Sequence, residues 1–521
     1  MKRIFKKLIA CFSLMALLYS CQEELDLGNP NTLSLEELLQ TDDGFILLAN
    51  GMFDAYQKIP ANEFLLTELR SDNVRANSEN GNFPLLNSYN VDVNNGDVAS
   101  YYSNNFATIA RANTIIDNRF LASESQQFTI GEAFFIRALC HFNLVRAYQN
   151  VPYVDRNVDT ENDDARNFPQ LPEEEVYERI VEDFRTSIAF LSGRTLDRYR
   201  PSEGAAICLA AKALLSQPNP NYAEAELLLG SVVENNASFN FDLLFTERDA
   251  DQTQRAYFGE LAILYGNVLG NAFSGTIAVE GREDEPVLDG SWTNDPGLEQ
   301  NQEIIFAIPY DLKGSDNLVA SDSGLSDQIE TDSESHSFAM TLGGPSNGVN
   351  IATLEFLEVM NPVDQPVRFP GTILANTFNP SEPTNDTFNA KYPNTGEIGD
   401  NDWVILRYAD VLLLYAEAIL AGGETTTDTR ALDAFNQVRI RAGLTEVAIL
   451  SRLELLAERQ VEFVYENQRL YDLCRFGEAD TVLQQFSNNN DLFFSPPRKI
   501  LPFPQREIDN LPNFYNQNPG Y

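Results

Sequence analysis

Glu454, Glu458 and Glu462 follow one another at i, i+4 and i+8 with Arg459 among them, the arrangement in this chain that comes closest to catalytic equipment. Two carboxylates on one helix face can serve a glycosidase as acid and base, provided that burial or a neighbour pushes their pKa values apart. Leu453, Leu456 and Phe463 occupy the other face, however, and with 77 acidic residues in the chain close carboxylate pairs arise by chance. The row therefore reads as helix-anchoring ion pairs, with Arg459 in reach of Glu462. Histidine offers little more. His141 and His336 are the only two, too few for a zinc centre or a nucleophile with its base. His141 stands four residues after Arg137 in an apolar run and reads as a hydrogen-bonded packing residue. No catalytic residue, metal site or cofactor is expected.

Cysteine chemistry divides in two. Cys140, Cys208 and Cys474 lie in apolar helical patterns at spacings that match no metal motif, and read as buried thiols. Cys21 instead ends a segment that begins Met1-Lys2-Arg3-Ile4-Phe5-Lys6-Lys7 and continues with an apolar run, Leu8 to Tyr19. Basic, then apolar, then small is the order of a secretory signal. The apolar run is too short for the ~20 residues that span a bilayer as a helix. Residues 1–20 are expected to be a signal peptide and 21–30 a tether.

Charge narrows the ligand. Lys and Arg number 36 against 77 Asp and Glu, a formal charge of −41, which loss of Lys2, Arg3, Lys6 and Lys7 with the signal would take to −45. A nucleic-acid binder needs the opposite balance. Polyanions are disfavoured for the same reason, and a neutral ligand is the simpler expectation.

The elements that must position any site are mainly α. Ser34 with Glu37 forms a candidate capping box, and apolar residues recur at helical spacing through Phe45, Leu48, Met52, Phe53 and Tyr56. Further helices are predicted over Ala99 to Phe120, Phe128 to Tyr148, Pro172 to Leu191, Ser202 to Leu215 and Tyr222 to Glu234. The stripe from Phe135 to Tyr148 is too broad for a helix with one neighbour, so it must be sandwiched. Paired antiparallel helices of a TPR-like kind supply that environment. Residues 237–401 differ: they hold 15 of the 29 glycines, which break helices and build loops, with a short strand expected over Glu303 to Ile308. Helices resume over Ile405 to Leu420, Thr429 to Ala442 and Leu450 to Glu466, before an irregular tail. The expected division is 31–236 helical, 237–401 a loop-rich ligand-binding insertion, and 402–521 helical with that tail.

The motifs then resemble one family. Leu18-Tyr19-Ser20-Cys21 is similar to a bacterial lipobox, and Gln22-Glu23-Glu24 after it resembles the surface-export signal of Bacteroidetes lipoproteins. Arg111-Ala112-Asn113, the helix Glu132 to Tyr148 with Val151-Pro152, Arg407 to Ala418, Val438 to Leu444, Glu458-Arg459-Gln460-Val461-Glu462, Arg469 to Leu473 and the ending Gln517-Asn518-Pro519-Gly520-Tyr521 resemble, in order, the SusD/RagB-like outer-membrane lipoproteins of Bacteroidetes. Cys140-His141 and Gln149-Asn150 depart from the pattern. The resemblance implies a SusD-like fold lipidated at Cys21 and facing the cell exterior. It also implies a non-catalytic binder that delivers a polysaccharide or oligosaccharide to a SusC-like TonB-dependent transporter. A peptide-binding member of the family and, less in keeping with it, a surface glycoside hydrolase are the alternatives.

Site residues follow from sugar chemistry, which calls for an aromatic platform and planar polar groups. Trp292, flanked by small polar residues, is a platform or a loop anchor; Trp403, beside an apolar run, reads as core. Tyr89 is a second platform. Asp72 and Asn73 belong to a segment, Glu68 to Asn73, that resembles a polar loop of glycan-binding relatives; there Asp72 either accepts from vicinal hydroxyls or braces the loop. Arg368 either donates a fork to sugar oxygens or is structural.

Overall fold

The computed structural model describes residues 34–41, 43–76, 83–158, 168–243, 303–309, 351–361, 363–365, 368–375, 387–389 and 403–521. The chain divides into two compact units, Met1–Leu47 and Leu48–Tyr521. In the first, Ser34 caps the helix Leu35–Leu39. Its Oγ accepts from Glu37 N–H at 3.2 Å while its own N–H donates to Glu37 Oε2 at 2.8 Å, the reciprocal pair foreseen from the sequence.

The second unit is a stack of antiparallel helices. Gly96–Asp117 packs on Gln127–Tyr148, which packs on Glu173–Phe190, then Glu203–Ser216 and Tyr222–Val233. Asn95, Ser202 and Asn221 start three of these helices by accepting main-chain N–H groups. Glu173, Glu174 and Glu175 place negative charge at the start of a fourth. The helix Gln127–Tyr148 is buried almost all round, so the stretch Glu124–Tyr148, although long and apolar enough to cross a bilayer, is a core helix with 94% of its window inside the protein. Its neighbour approaches closely at Gly131. A Cβ there would meet Leu191 Cγ at 2.7 Å, and Ser187 Oγ donates to the Gly131 carbonyl at 2.9 Å.

The stack continues across the glycine-rich region. Tyr222–Val233 packs directly on Tyr408–Leu420, which packs on Thr429–Arg441. The helices on either side of residues 243–403 thus belong to one pile. The strand Ile304–Ile308 returns to the scaffold and pairs antiparallel with Trp403–Arg407, with Ile304 opposite Arg407 and Ile308 opposite Trp403. All five residues of the first strand are buried, which explains its unbroken apolar sequence. Val74–Arg75 pairs in the same sense with Ile351–Ala352.

Two expectations are corrected, and one helix is added. Residues 405–407 belong to a strand, and the helix starts only at Tyr408, because Ile304–Ile308 offers Trp403–Arg407 a ladder that helical periodicity does not reveal. The helix at 452 ends at Glu462, short of Glu466, where Tyr465 and Asn467 adopt left-handed backbone. A helix over Ile59–Thr67 was not foreseen; Pro60 sits in its first turn, where its missing N–H costs no helical hydrogen bond.

Candidate functional site

The motif residues are anchors. Arg137 donates to Asp183 through Nε and Nη2, both at 2.7 Å, and to Asn113 Oδ1 at 2.9 Å, so one buried guanidinium ties three helices. Glu132 accepts from Arg194 at 2.6 Å and Arg200 at 2.9 Å. His141 is wholly buried and stacked on Tyr153 at 3.9 Å. Its Nδ1 lies 2.9 Å from the Arg137 carbonyl and its Nε2 accepts from Val154 N–H at 3.1 Å, which fixes a neutral ring protonated on Nδ1. Burial pushes its pKa down to about 3. It is a packing residue, as its surroundings in the sequence implied. Cys140, Cys208 and Cys474 are free thiols, the first two buried and the third partly so.

The glutamate row is saturated. Glu454 closes a capping box with Ser451. Glu458 accepts from Arg368 Nη2 at 2.5 Å and Arg439 Nη1 at 3.0 Å. Glu462 accepts from Arg368 Nε at 2.8 Å, Arg407 Nη1 at 2.6 Å and Arg441. Arg459 turns away from Glu462, contrary to expectation. It lies 2.8 Å from Asp410 and 2.9 Å from Asp472, on the helix flank that faces Tyr408–Leu420 and Arg469–Arg475. Glu458 and Glu462, buried and engaged by guanidinium groups, have no access to a substrate.

Four of the five proposed ligand contacts lie in the interior. Asp72 is buried, and Arg469 grips it at two points, Nε to Oδ1 and Nη2 to Oδ2, each 2.7 Å. Asn73 is buried and accepts from Gln460 at 2.8 Å, while its carbonyl takes the Thr353 N–H at 2.9 Å. Tyr89 is 1% exposed; its hydroxyl donates to the Arg70 carbonyl at 3.0 Å and its ring packs edge-on against Phe494. Arg368 is 4% exposed and committed to Glu458 and Glu462, with Gln365 rather than Asp364 beside it. In the structure these four side chains brace their neighbours, the alternative left open for Asp72 and Arg368. Trp292 and Cys21 lie outside the described residues. Trp403 is core, 1% exposed and edge-on to Phe64.

The braces nonetheless mark a place. Glu303 and Arg368, both from between Leu243 and Trp403, enter one buried cluster with Arg407, Arg441, Glu458 and Glu462. Thr353 and the strand Ile351–Ala352 hold the loop at Asp72–Arg75. Sequence reading missed Arg407, Arg441 and Lys212 as members of buried networks. The signal available was basic residues inside strongly apolar runs. Among the described residues no group of three or more His, Cys, Asp or Glu side chains is placed to hold a metal.

A structure described as a laminarin-binding SusD-like protein superposes with a TM-score of 0.68 at 20% identity, covering 92% of this chain and 100% of its own. The surface glycan-binding protein A of Bacteroides thetaiotaomicron, solved with laminarihexaose, gives 0.65 at 19%, covering 92% and 99%. In sequence, SusD-like protein P2 of Formosa agariphila is 26% identical over 463 residues, 84% of this chain and 83% of its own length. The profile described as "SusD family" matches residues 376–521, and that described as "Starch-binding associating with outer membrane" matches 25–215. The chain belongs to the SusD/RagB-like family and is a binding protein rather than an enzyme.

Proposed function

We propose that this chain is a lipoprotein, anchored through Cys21 and facing the cell exterior, that binds a neutral polysaccharide or oligosaccharide and delivers it to a SusC-like TonB-dependent transporter. The observation that carries the glycan reading is family membership together with near full-length likeness to proteins described as binding laminarin and laminarihexaose. The excess of acidic over basic residues supports a neutral ligand. Residues 31–236 and 402–521 serve as scaffold, and 237–401 as the segment that meets ligand. With Tyr89, Asp72, Asn73 and Arg368 engaged in the interior, Trp292 is the remaining platform candidate. A lipid tether confines capture to the membrane plane, which raises the effective concentration of ligand at a transporter beside it. Affinity electrophoresis of the lipid-free protein through gels containing neutral or acidic polysaccharides tests the reading. Retardation by a neutral glycan is expected; retardation by acidic glycans alone would refute neutrality.

A further inference from the structure

After the helix Ala479–Asn489 the chain doubles back on Ser487. Leu492 N–H donates to the Ser487 carbonyl at 2.9 Å and Phe494 N–H to Ser487 Oγ at 3.1 Å, with Asp491 in left-handed backbone, φ 54°, making the turn. Leu492 packs on the core cluster around Leu483, and Phe494 is buried edge-on against Tyr89. Phe493 lies between these two anchors. Its N–H donates to the Ser88 carbonyl at 3.1 Å, yet the residue is 67% exposed. Three consecutive bonded N–H groups hold the backbone, so the ring is presented to solvent with little chain entropy left to lose on binding.

A single exposed phenylalanine is ordinary; the neighbours of this one set it apart. Asn488, Asn489 and Asn490, all exposed, form the turn that leads to it, and Gln484 donates to Asn488 Oδ1 at 3.1 Å. Asn490 Nδ2 donates to Glu355 Oε1 at 2.9 Å, which ties the turn to residues 237–401, the segment proposed to meet ligand. Phe120, 77% exposed, is followed instead by the exposed Leu121. A sugar ring offers an apolar C–H face edged by hydroxyls. A phenyl face beside carboxamides, which both donate and accept, matches both features, whereas a purely apolar partner would bury those amides unpaired. We infer, resting on the glycan reading, that Phe493 is a sugar-stacking platform with the carboxamides of Asn488 and Asn489 beside it for hydroxyl groups. Ligand contact then extends beyond 237–401 onto the carboxy-terminal region.

Affinity electrophoresis of lipid-free wild type, Phe493→Ala and Phe493→Tyr through gels containing laminarin, starch or an acidic polysaccharide tests this, with thermal unfolding of each protein alongside. Phe493→Ala should bind the glycan that retards the wild type roughly tenfold more weakly, at an unchanged melting temperature. Phe493→Tyr, which keeps a ring face, should bind like the wild type. Wild-type affinity in Phe493→Ala, a loss accompanied by a lower melting temperature, or an equal loss in Phe493→Tyr would each overturn the platform while leaving glycan binding in place. A wild type retarded by none of the gels would overturn the glycan reading and the inference with it.

Discussion

Asp72 and Arg469 lie 397 positions apart and meet in a two-point ion pair, both contacts 2.7 Å, with both side chains buried. The pair closes the scaffold by joining the loop after the first helices to the helix Arg469–Arg475. Removing one member strands the other charge in the interior, a loss of about 3–5 kcal/mol.

Arg469→Ala should therefore lower unfolding stability by about that amount, and Asp72→Ala with Arg469→Ala should recover part of the loss. Urea titration of the single and double variants measures it. Glycan affinity of the folded fraction should stay at the wild-type value. Asp72→Ala with unchanged stability and abolished binding would return Asp72 to the ligand site.

His141 supplies a pH signature. Its folded pKa, about 3, lies below the ordinary 6.5 because burial disfavours the charged ring. The unfolded chain then binds a proton that the folded chain refuses. The stabilisation is complete above pH 6.5 and is lost as pH falls toward 3, at about 1.4 kcal/mol per unit. Urea midpoints between pH 7 and pH 4.5 should fall less steeply in His141→Gln than in the wild type. Parallel slopes would contradict the neutral buried ring.

Much of the scaffold was legible in the sequence because helical hairpins announce themselves locally. The Ser34 cap, the all-round apolar helix ending at Tyr148 and the packing roles of His141 and Trp403 each follow from neighbours within a few residues. Partners distant in sequence were not legible. Nothing near Ile405 shows that Ile304–Ile308 will pair with it, and nothing near Arg459 shows that Asp410 will compete with Glu462. The surroundings of the candidate site residues were not legible for the same reason. Asp72, Asn73, Tyr89 and Arg368 are polar or aromatic residues in loop-like sequence, a profile that ligand contacts share with buried braces. Only Arg469, Gln460, Phe494 and Glu458, supplied by the far end of the chain, tell the two apart.

Membrane attachment is tested at Cys21. Cys21→Ala should move the protein from the membrane fraction to the soluble fraction, and protease added to intact cells should cut the wild type. Wild-type protein that survives protease on intact cells but not on permeabilised ones would contradict exposure at the surface.

The most direct test of glycan capture is calorimetric titration of the lipid-free protein with the polysaccharide that retards it most, comparing wild type, Trp292→Ala and Trp403→Ala. Loss of a stacking platform that buries about 1.5–3 kcal/mol of apolar surface should weaken binding roughly tenfold or more in Trp292→Ala, with the melting temperature nearly unchanged. Trp403→Ala should do the reverse, opening a core cavity worth about 3–5 kcal/mol while its folded fraction binds normally. Binding of the cognate glycan by Trp292→Ala as tight as the wild type would contradict the platform, and no binding of any glycan by the wild type would contradict the account as a whole.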